Sequence, residues 1–192
     1  LPDNPITLFT KWYDEACLKA RKDAEAFVLS TVSREGEPSS RIVYLRNLKD
    51  DAFVFYTNYQ SNKGMDILHN PNVAMNFFWK ELERQVKIKG TARKVPPADS
   101  DAYFASRPFD NQVSAWASHQ SSEVDGREAL ENDFTKYAKK YEGKTVPRPP
   151  YWGGYGIIPE KIEFWQGRPG RLHDRIVYTR TSNGWTFKRL SP

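Results

Sequence analysis

A single cysteine, Cys17, rules out an intrachain disulfide and suits a reducing compartment. A cytoplasmic location is the expectation that follows. Cys17 falls on the apolar side of a helical pattern, where a thiol acts as a small hydrophobe. The histidines His69, His119 and His173 lie far apart in sequence without ligand-like neighbours, so no metal is expected. No apolar run is long enough to cross a bilayer and no signal-peptide pattern is present, so no membrane partner is expected. No Walker-type phosphate loop occurs. No Gly-x-Gly-x-x-Gly follows a strand, and Gly153-Gly154-Tyr155-Gly156 does not qualify. No serine or cysteine sits in a nucleophile elbow, and there are no repeats. The sequence starts at Leu1 rather than Met, which raises the expectation of a missing N-terminal extension.

What is present describes an ordered, basic domain. Hydrophobic residues make up 39% and aromatics 14%, too apolar for a disordered chain. The length of 192 residues fits one domain, 1–192, with a real core. The net charge is +5 with a pI near 9.2, which favours anionic partners. The basic residues are spread along the chain, so a nucleic-acid partner is not expected.

In chain order, Asp3-Asn4-Pro5 is a helix start, and Leu8, Phe9, Trp12, Ala16 and Cys17 recur at helical spacing to about Ala20. Strands are predicted at 26–32, 39–45, 52–57, 73–79 and 85–95, with a short helix over 63–69. After Pro96-Pro97 come helices at 98–106, 110–117 and 126–141. The last is amphipathic, with Leu130, Phe134, Tyr137 and Tyr141 expected inward. Strands return at 155–158, 162–166, 175–180 and 185–190, the last two joined by Ser182-Asn183-Gly184. The expectation is a mainly β fold with flanking helices, a closed or nearly closed barrel with helices outside.

Several segments are suited to anions. Phe164 to Arg175 gathers arginines, His173, an aspartate and Trp165 around a Gly/Pro bend, a set that suits a planar anionic heteroaromatic ligand. The alternative is a hairpin whose charges are merely solvated. In Arg41–Arg46, Arg41 shares a strand face with Val43 and Leu45, and Ile42 and Tyr44 share the other with Arg46. An arginine so placed is at a sheet edge or holds an anion. Tyr56-Thr57-Asn58 followed by Ser61-Asn62-Lys63 runs a strand end into a helix start, either a phosphate site or a simple cap by Ser61. Tyr103 and Arg107 share a helix face near Asn111 and together would hold a phosphate monoester, or would be a tyrosine packed on an arginine stem. The 116–122 loop, with Gln120 and Ser121, is rich in small donors, as any loop can be. Two phosphate sites would account for these segments together.

The same residues carry a resemblance that spans nearly the whole chain in order. Arg-Ile-Val-Tyr-Leu at 41–45, Phe-Tyr-Thr-Asn at 55–58, Glu-Arg-Gln-Val at 83–86, Tyr-Phe-Ala-Ser-Arg-Pro at 103–108 and Gln-Ser-Ser at 120–122 are part of it. So are Trp-Gly-Gly at 152–154, Glu-Phe-Trp-Gln-Gly at 163–167, Arg-Leu-His-Asp-Arg at 171–175 and Arg-Leu-Ser-Pro at 189–192. This pattern resembles the pyridoxine (pyridoxamine) 5′-phosphate oxidases. The resemblance implies an FMN-binding split β-barrel that works as a homodimer, with FMN between the subunits. The implied reaction oxidises pyridoxine 5′-phosphate or pyridoxamine 5′-phosphate to pyridoxal 5′-phosphate, with O2 reduced to H2O2, in vitamin B6 salvage. It implies that Arg41, Ser61, Asn62, Lys63, Gln120 and Ser121 lie at the FMN phosphate. Ile42, Val43, Tyr44, Leu45, Tyr56, Thr57, Gln85, Trp165 and Arg175 would lie along the flavin. Arg46, Tyr103, Arg107 and Asn111 would bind the substrate phosphate, and Arg171 and His173 the substrate ring as catalytic residues.

Three positions depart from the family pattern. Arg46 stands where lysine is usual, Asn62 where an arginine usually meets the FMN phosphate, and Asn111 where serine is usual. The loss of charge at Asn62 implies weaker FMN binding. These departures motivate the alternative of a split-barrel FMN protein with a changed role, a flavin reductase or a pyridoxal-phosphate carrier.

Overall fold

The structure is a computed structural model that describes residues 1–192, apart from the side chains of 20–22. Helix α1 (Pro5–Ala20) starts where Asn4 accepts the Ile6 N–H on its side chain at 2.9 Å, which satisfies one orphan donor. Its buried face carries Ile6, Phe9 and Ala16. Phe9 meets Phe53 edge-on at 4.8 Å and Phe77 at 5.3 Å, so α1 packs its apolar stripe onto the sheet.

The strands are β1 (Ala26–Val32), β2 (Pro38–Tyr44), β3 (Asn47–Lys49), β4 (Ala52–Asn58), β5 (Asn72–Trp79), β6 (Arg84–Lys94), β7 (Trp152–Gln166), β8 (Asp174–Thr181) and β9 (Gly184–Arg189). They form one antiparallel sheet in the order β2-β1-β5-β6-β7-β4-β3, with β8 added on β7 and β9 on β8. The inner face is the core: Phe27, Leu29, Phe55, Phe77, Val86, Ile88, Ile157 and Phe164 are all buried. The alternating burial along β1 shows one face in and one out, the period of a strand.

Beyond Tyr44 the barrel closes only loosely. Leu45 N–H donates to Glu25 O and Arg46 N–H to Val54 O, each at 2.8 Å. Strand β3 pairs with β4 only at 52–54, so 56–58 of β4 carry no ladder on the side away from β7. The gap between β2 and this end of β4 is the split in the barrel.

Helix α2 (Asn62–His69) sits beside that gap, and α3 (Pro97–Ala105), α4 (Phe109–Ala117) and α5 (Arg127–Tyr141) cover one side. Three expectations need correction. The segments 155–158 and 162–166 are one strand, β7: between Lys89 and Gly90 of β6 the register skips Glu160, a bulge on β7 next to Pro159 across which pairing continues. The short β3 was not expected. Leu130 is 43% exposed, and α5 packs inward mainly through Tyr137 and Tyr141.

Candidate functional site

A cavity of about 810 Å³ fills the split. Strand β2 supplies Arg41, Ile42, Val43 and Tyr44, and Arg46 follows it. Strand β4 supplies Tyr56, Thr57 and Asn58, and α2 supplies Lys63. Tyr103 comes from α3, Arg107 from the turn after it, Asn111 from α4, and Gln120 from the loop beyond. Twelve sequence-predicted residues therefore converge from separate segments on one space: these less Asn58.

One end of the cavity is a pair of cations. Lys63 is buried, and its ammonium donates to Thr57 Oγ1, Ser61 Oγ and Gln120 Oε1, each at 3.2 Å. Burial, and secondarily the neighbouring Arg41, push the Lys63 pKa down from 10.5 to about 8. Arg41 donates to Thr31 Oγ1 at 2.6 Å and Ser39 Oγ at 2.7 Å, and Asp66 approaches it only to 3.9 Å. Burial lowers the Arg41 pKa as well. Two desolvated cations side by side are costly without an anion. Ser61 caps α2, accepting the Gly64 N–H, so the capping role and the contact with Lys63 coexist in one hydroxyl.

The other end is built on stacked rings. Tyr56 and Tyr103 are 3.9 Å apart at 11°, and Trp152 lies parallel to Tyr103 at 6.2 Å. Gly154 allows this: a Cβ there would meet Tyr56 Cε1 at 2.8 Å. The Arg107 guanidinium lies 4.6 Å from the Trp152 ring centre. Its Nη1 is buried and has no hydrogen-bond partner among the described residues. A buried, unpaired guanidinium nitrogen calls for an acceptor.

The remaining predicted residues are elsewhere. Leu45 is 5% exposed and faces the core instead of the cavity. Asn62, the first residue of α2, is exposed, and its backbone N–H donates to Ser121 Oγ at 3.3 Å; neither lines the cavity. Gln85, Trp165 and Arg175 are in register across β6, β7 and β8, beside Phe78 of β5. Their neighbours Val86, Phe164 and Ile176 are core residues, so this row lies on the outer face. Arg171 is exposed in a turn at φ +62°, an uncommon conformation for a residue with a Cβ. His173 packs on Trp165 at 4.7 Å. The Arg168 N–H donates to His173 Nδ1 at 3.1 Å, so the neutral ring carries its proton on Nε2. None of these five residues lines the cavity of its own chain.

Sequence reasoning passed over Ser106, Pro108, Ser114, Ala115 and, as a site residue, Trp152. Ser114, Ala115 and Ser118 stand three, four and seven positions beyond Asn111, which is the helical spacing that would have found them.

A family model described as pyridoxamine 5′-phosphate oxidase matches residues 13–141, and one described as the pyridoxine 5′-phosphate oxidase C-terminal dimerisation region matches 152–192. The chain belongs to the pyridoxamine 5′-phosphate oxidase family. It is 50% identical over 192 residues to a pyridoxine/pyridoxamine 5′-phosphate oxidase of Cupriavidus taiwanensis, covering 100% of this chain and 90% of that one. To the protein so named in Cytophaga hutchinsonii it is 51% identical, covering 98% and 89%. Among solved structures it is similar to PhzG from Burkholderia lata, in complex with tetrahydrophenazine-1-carboxylic acid, with a TM-score of 0.94 and 31% identity, covering 100% and 94%. An FMN binding protein from Nostoc punctiforme shares the fold, with a TM-score of 0.76 at 17% identity, covering 95% and 96%. With family membership stand the split β-barrel, the FMN cofactor and the oxidase class expected from the sequence. No helix among the described residues is long and apolar enough to cross a membrane.

Proposed function

We propose that this oxidase acts on pyridoxine 5′-phosphate and pyridoxamine 5′-phosphate, forming pyridoxal 5′-phosphate with O2 reduced to H2O2 (the amine's imine being hydrolysed by water with loss of ammonia), and so serves vitamin B6 salvage. The observation that carries this reading is one cavity with two separate cationic ends. Arg41 to Tyr44 spans roughly 10 Å of extended β2 and Arg46 lies beyond it, so each end has room for its own phosphate.

The donor set at the Arg41–Lys63 end fits the phosphate of FMN, with Gln120 and Ser121 assisting. The Arg107 end fits the substrate phosphate, with Tyr103, Asn111 and Arg46. The unpaired Nη1 of Arg107 supports an oxyanion there. Held by the Arg41–Lys63 set, FMN would supply a two-electron acceptor for hydride from the substrate's exocyclic carbon, with O2 as the final oxidant.

The chain works as a homodimer in this reading. The outer-face set Gln85, Trp165, Arg171, His173 and Arg175 completes the cavity of a second copy. Support comes from two facts: the match to a dimerisation region covers 152–192, and this set leaves its own cavity unlined. Arg171 and His173 orient the substrate ring, the His173 Nε2–H serving as a donor toward it. Fixing substrate against cofactor supplies rate by proximity. A location in the cytoplasm and a single domain over 1–192 are part of the same proposal.

An aerobic assay with added FMN and pyridoxine 5′-phosphate tests it. Equal amounts of pyridoxal 5′-phosphate and peroxide are expected. Bound flavin with neither product would leave the fold and remove this activity, in favour of a changed role such as a flavin reductase or pyridoxal-phosphate carrier.

A further inference from the structure

Glu25 ends the short turn before β1 and is bonded twice to the chain that leaves β2. Its carbonyl accepts the Leu45 N–H at 2.8 Å, and its Oε2 accepts from Arg46 Nη1 at 2.6 Å. The Arg46 N–H is tied to Val54 O, and its guanidinium lies 5.0 Å from the Tyr44 ring centre. Backbone and side chain of Arg46 are thus held from three directions, yet Arg46 lines the cavity. The held end is also near Arg107, whose guanidinium feels the Arg46 charge. Two guanidinium groups at one end of a cavity repel, and a carboxylate on one of them relieves this. Tyr13 of α1 lies close to the same pair.

We infer that Glu25 is a positioning residue: it holds one edge of the Arg46 guanidinium so that the remaining N–H donors serve a phosphate at the Arg107 end. Arginine is suited to this double duty because its donors form a planar fork that can face two acceptors at once. An ammonium is a point charge on a flexible stem and gains no such orientation from a carboxylate. The inference rests on the proposed phosphate-binding role of that end.

A double-mutant cycle tests it with FMN-loaded wild type, Glu25→Gln, Arg46→Lys and the double variant. It is read as Kd for pyridoxal 5′-phosphate and as KM and kcat for pyridoxine 5′-phosphate. Glu25→Gln is expected to raise Kd and KM about threefold, the scale of a partly exposed ion pair, with kcat and FMN content unchanged. In the Arg46→Lys background the same change is expected to have little effect, because the oriented fork is already gone. An equal rise in both backgrounds, unchanged or tighter binding in Glu25→Gln, or loss of FMN along with affinity would each overturn the inference. Absence of turnover in wild type would instead remove the oxidase reading, and the Kd cycle would still judge Glu25.

Discussion

The cavity in the barrel split and the outer-face row across β6, β7 and β8 are both rich in arginine, yet their charges are treated in opposite ways. In the cavity, Lys63 is bonded only to neutral oxygens, and Arg107 keeps a buried nitrogen without a partner among the described residues. On the outer face, Arg175 donates to Glu163 at 2.9 Å and to Ser191 O, and Lys87 also reaches Glu163 at 2.9 Å. In the cavity Arg46 alone has a close carboxylate, Glu25, with Asp66 3.9 Å from Arg41, whereas the outer face balances itself. That difference is why the cavity, and not the outer face, is the proposed anion site. In the proposed dimer the outer face contributes Trp165 and the exposed turn where Arg171 stands at a positive φ.

That contrast ranks the expected effects. Arg171→Ala is expected to cut kcat by about a hundredfold or more, the scale of a lost proton-transfer or orienting group, with FMN content retained. Turnover kinetics beside flavin absorbance check this, and an undiminished rate would take the outer face out of the site. Arg107→Ala should raise KM by about tenfold to a hundredfold, as expected from losing charge-assisted hydrogen bonds of roughly 1.5–3 kcal/mol. A KM unchanged in that variant would show that the unpaired nitrogen is not an anion site.

Lys63 gives a pH signature. Its pKa in the protein, about 8, is below the ordinary 10.5, so the folded chain binds fewer protons than the unfolded one between these values. The charged buried lysine therefore costs stability below about pH 8, and the cost is relieved as pH rises. For FMN the sign is reversed, because the phosphate needs the ammonium. FMN affinity should be flat between about pH 7 and 8, above the phosphate's own second pKa of about 6, and fall above about pH 8 by up to about tenfold per pH unit. Titration of flavin fluorescence against pH checks this, and Lys63→Gln should lack the fall.

The smallest effect concerns the self-balanced face. Burial raises the Glu163 pKa, but the hydrogen bonds and charges of Arg175 and Lys87 outweigh it and hold the carboxyl below its ordinary value. The stability it contributes is present above the ordinary carboxylate pKa and lost as pH falls through the lowered one. Glu163→Gln should cost about 1 kcal/mol or less in urea unfolding at neutral pH, and the difference should shrink in acid. A constant difference across pH would assign Glu163 a packing role.

Much of the fold was legible because its signals are local. Phe27, Leu29 and Thr31 alternate inward along β1, and Ser61 caps α2 where a capping residue was expected. Strand β3 was not legible, since three residues carry no alternation, and Pro159 hid the continuity of β7, which a bulge at the adjacent Glu160 preserves. For Arg41 the sequence left two possibilities, a sheet edge or an anion site: β2 is the edge strand, and Arg41 lines the cavity where the anion site is proposed. Leu45 was misplaced because the backbone turns from the strand at that residue to reach Glu25. Convergence itself was beyond local patterns. Nothing in 103–111 says that it faces 41–46, and only the family resemblance joined the two regions into one site.

The central claim is that a complete site draws its cavity from one copy and its Arg171 from another. It is tested most directly by mixing two defective proteins, Arg107→Ala and Arg171→Ala, under conditions that exchange subunits. A mixed dimer would hold one site with both arginines intact, and random exchange puts half the dimers in that form. Activity near about a quarter of wild type is the predicted result. A mixture no more active than its separate components would contradict the account.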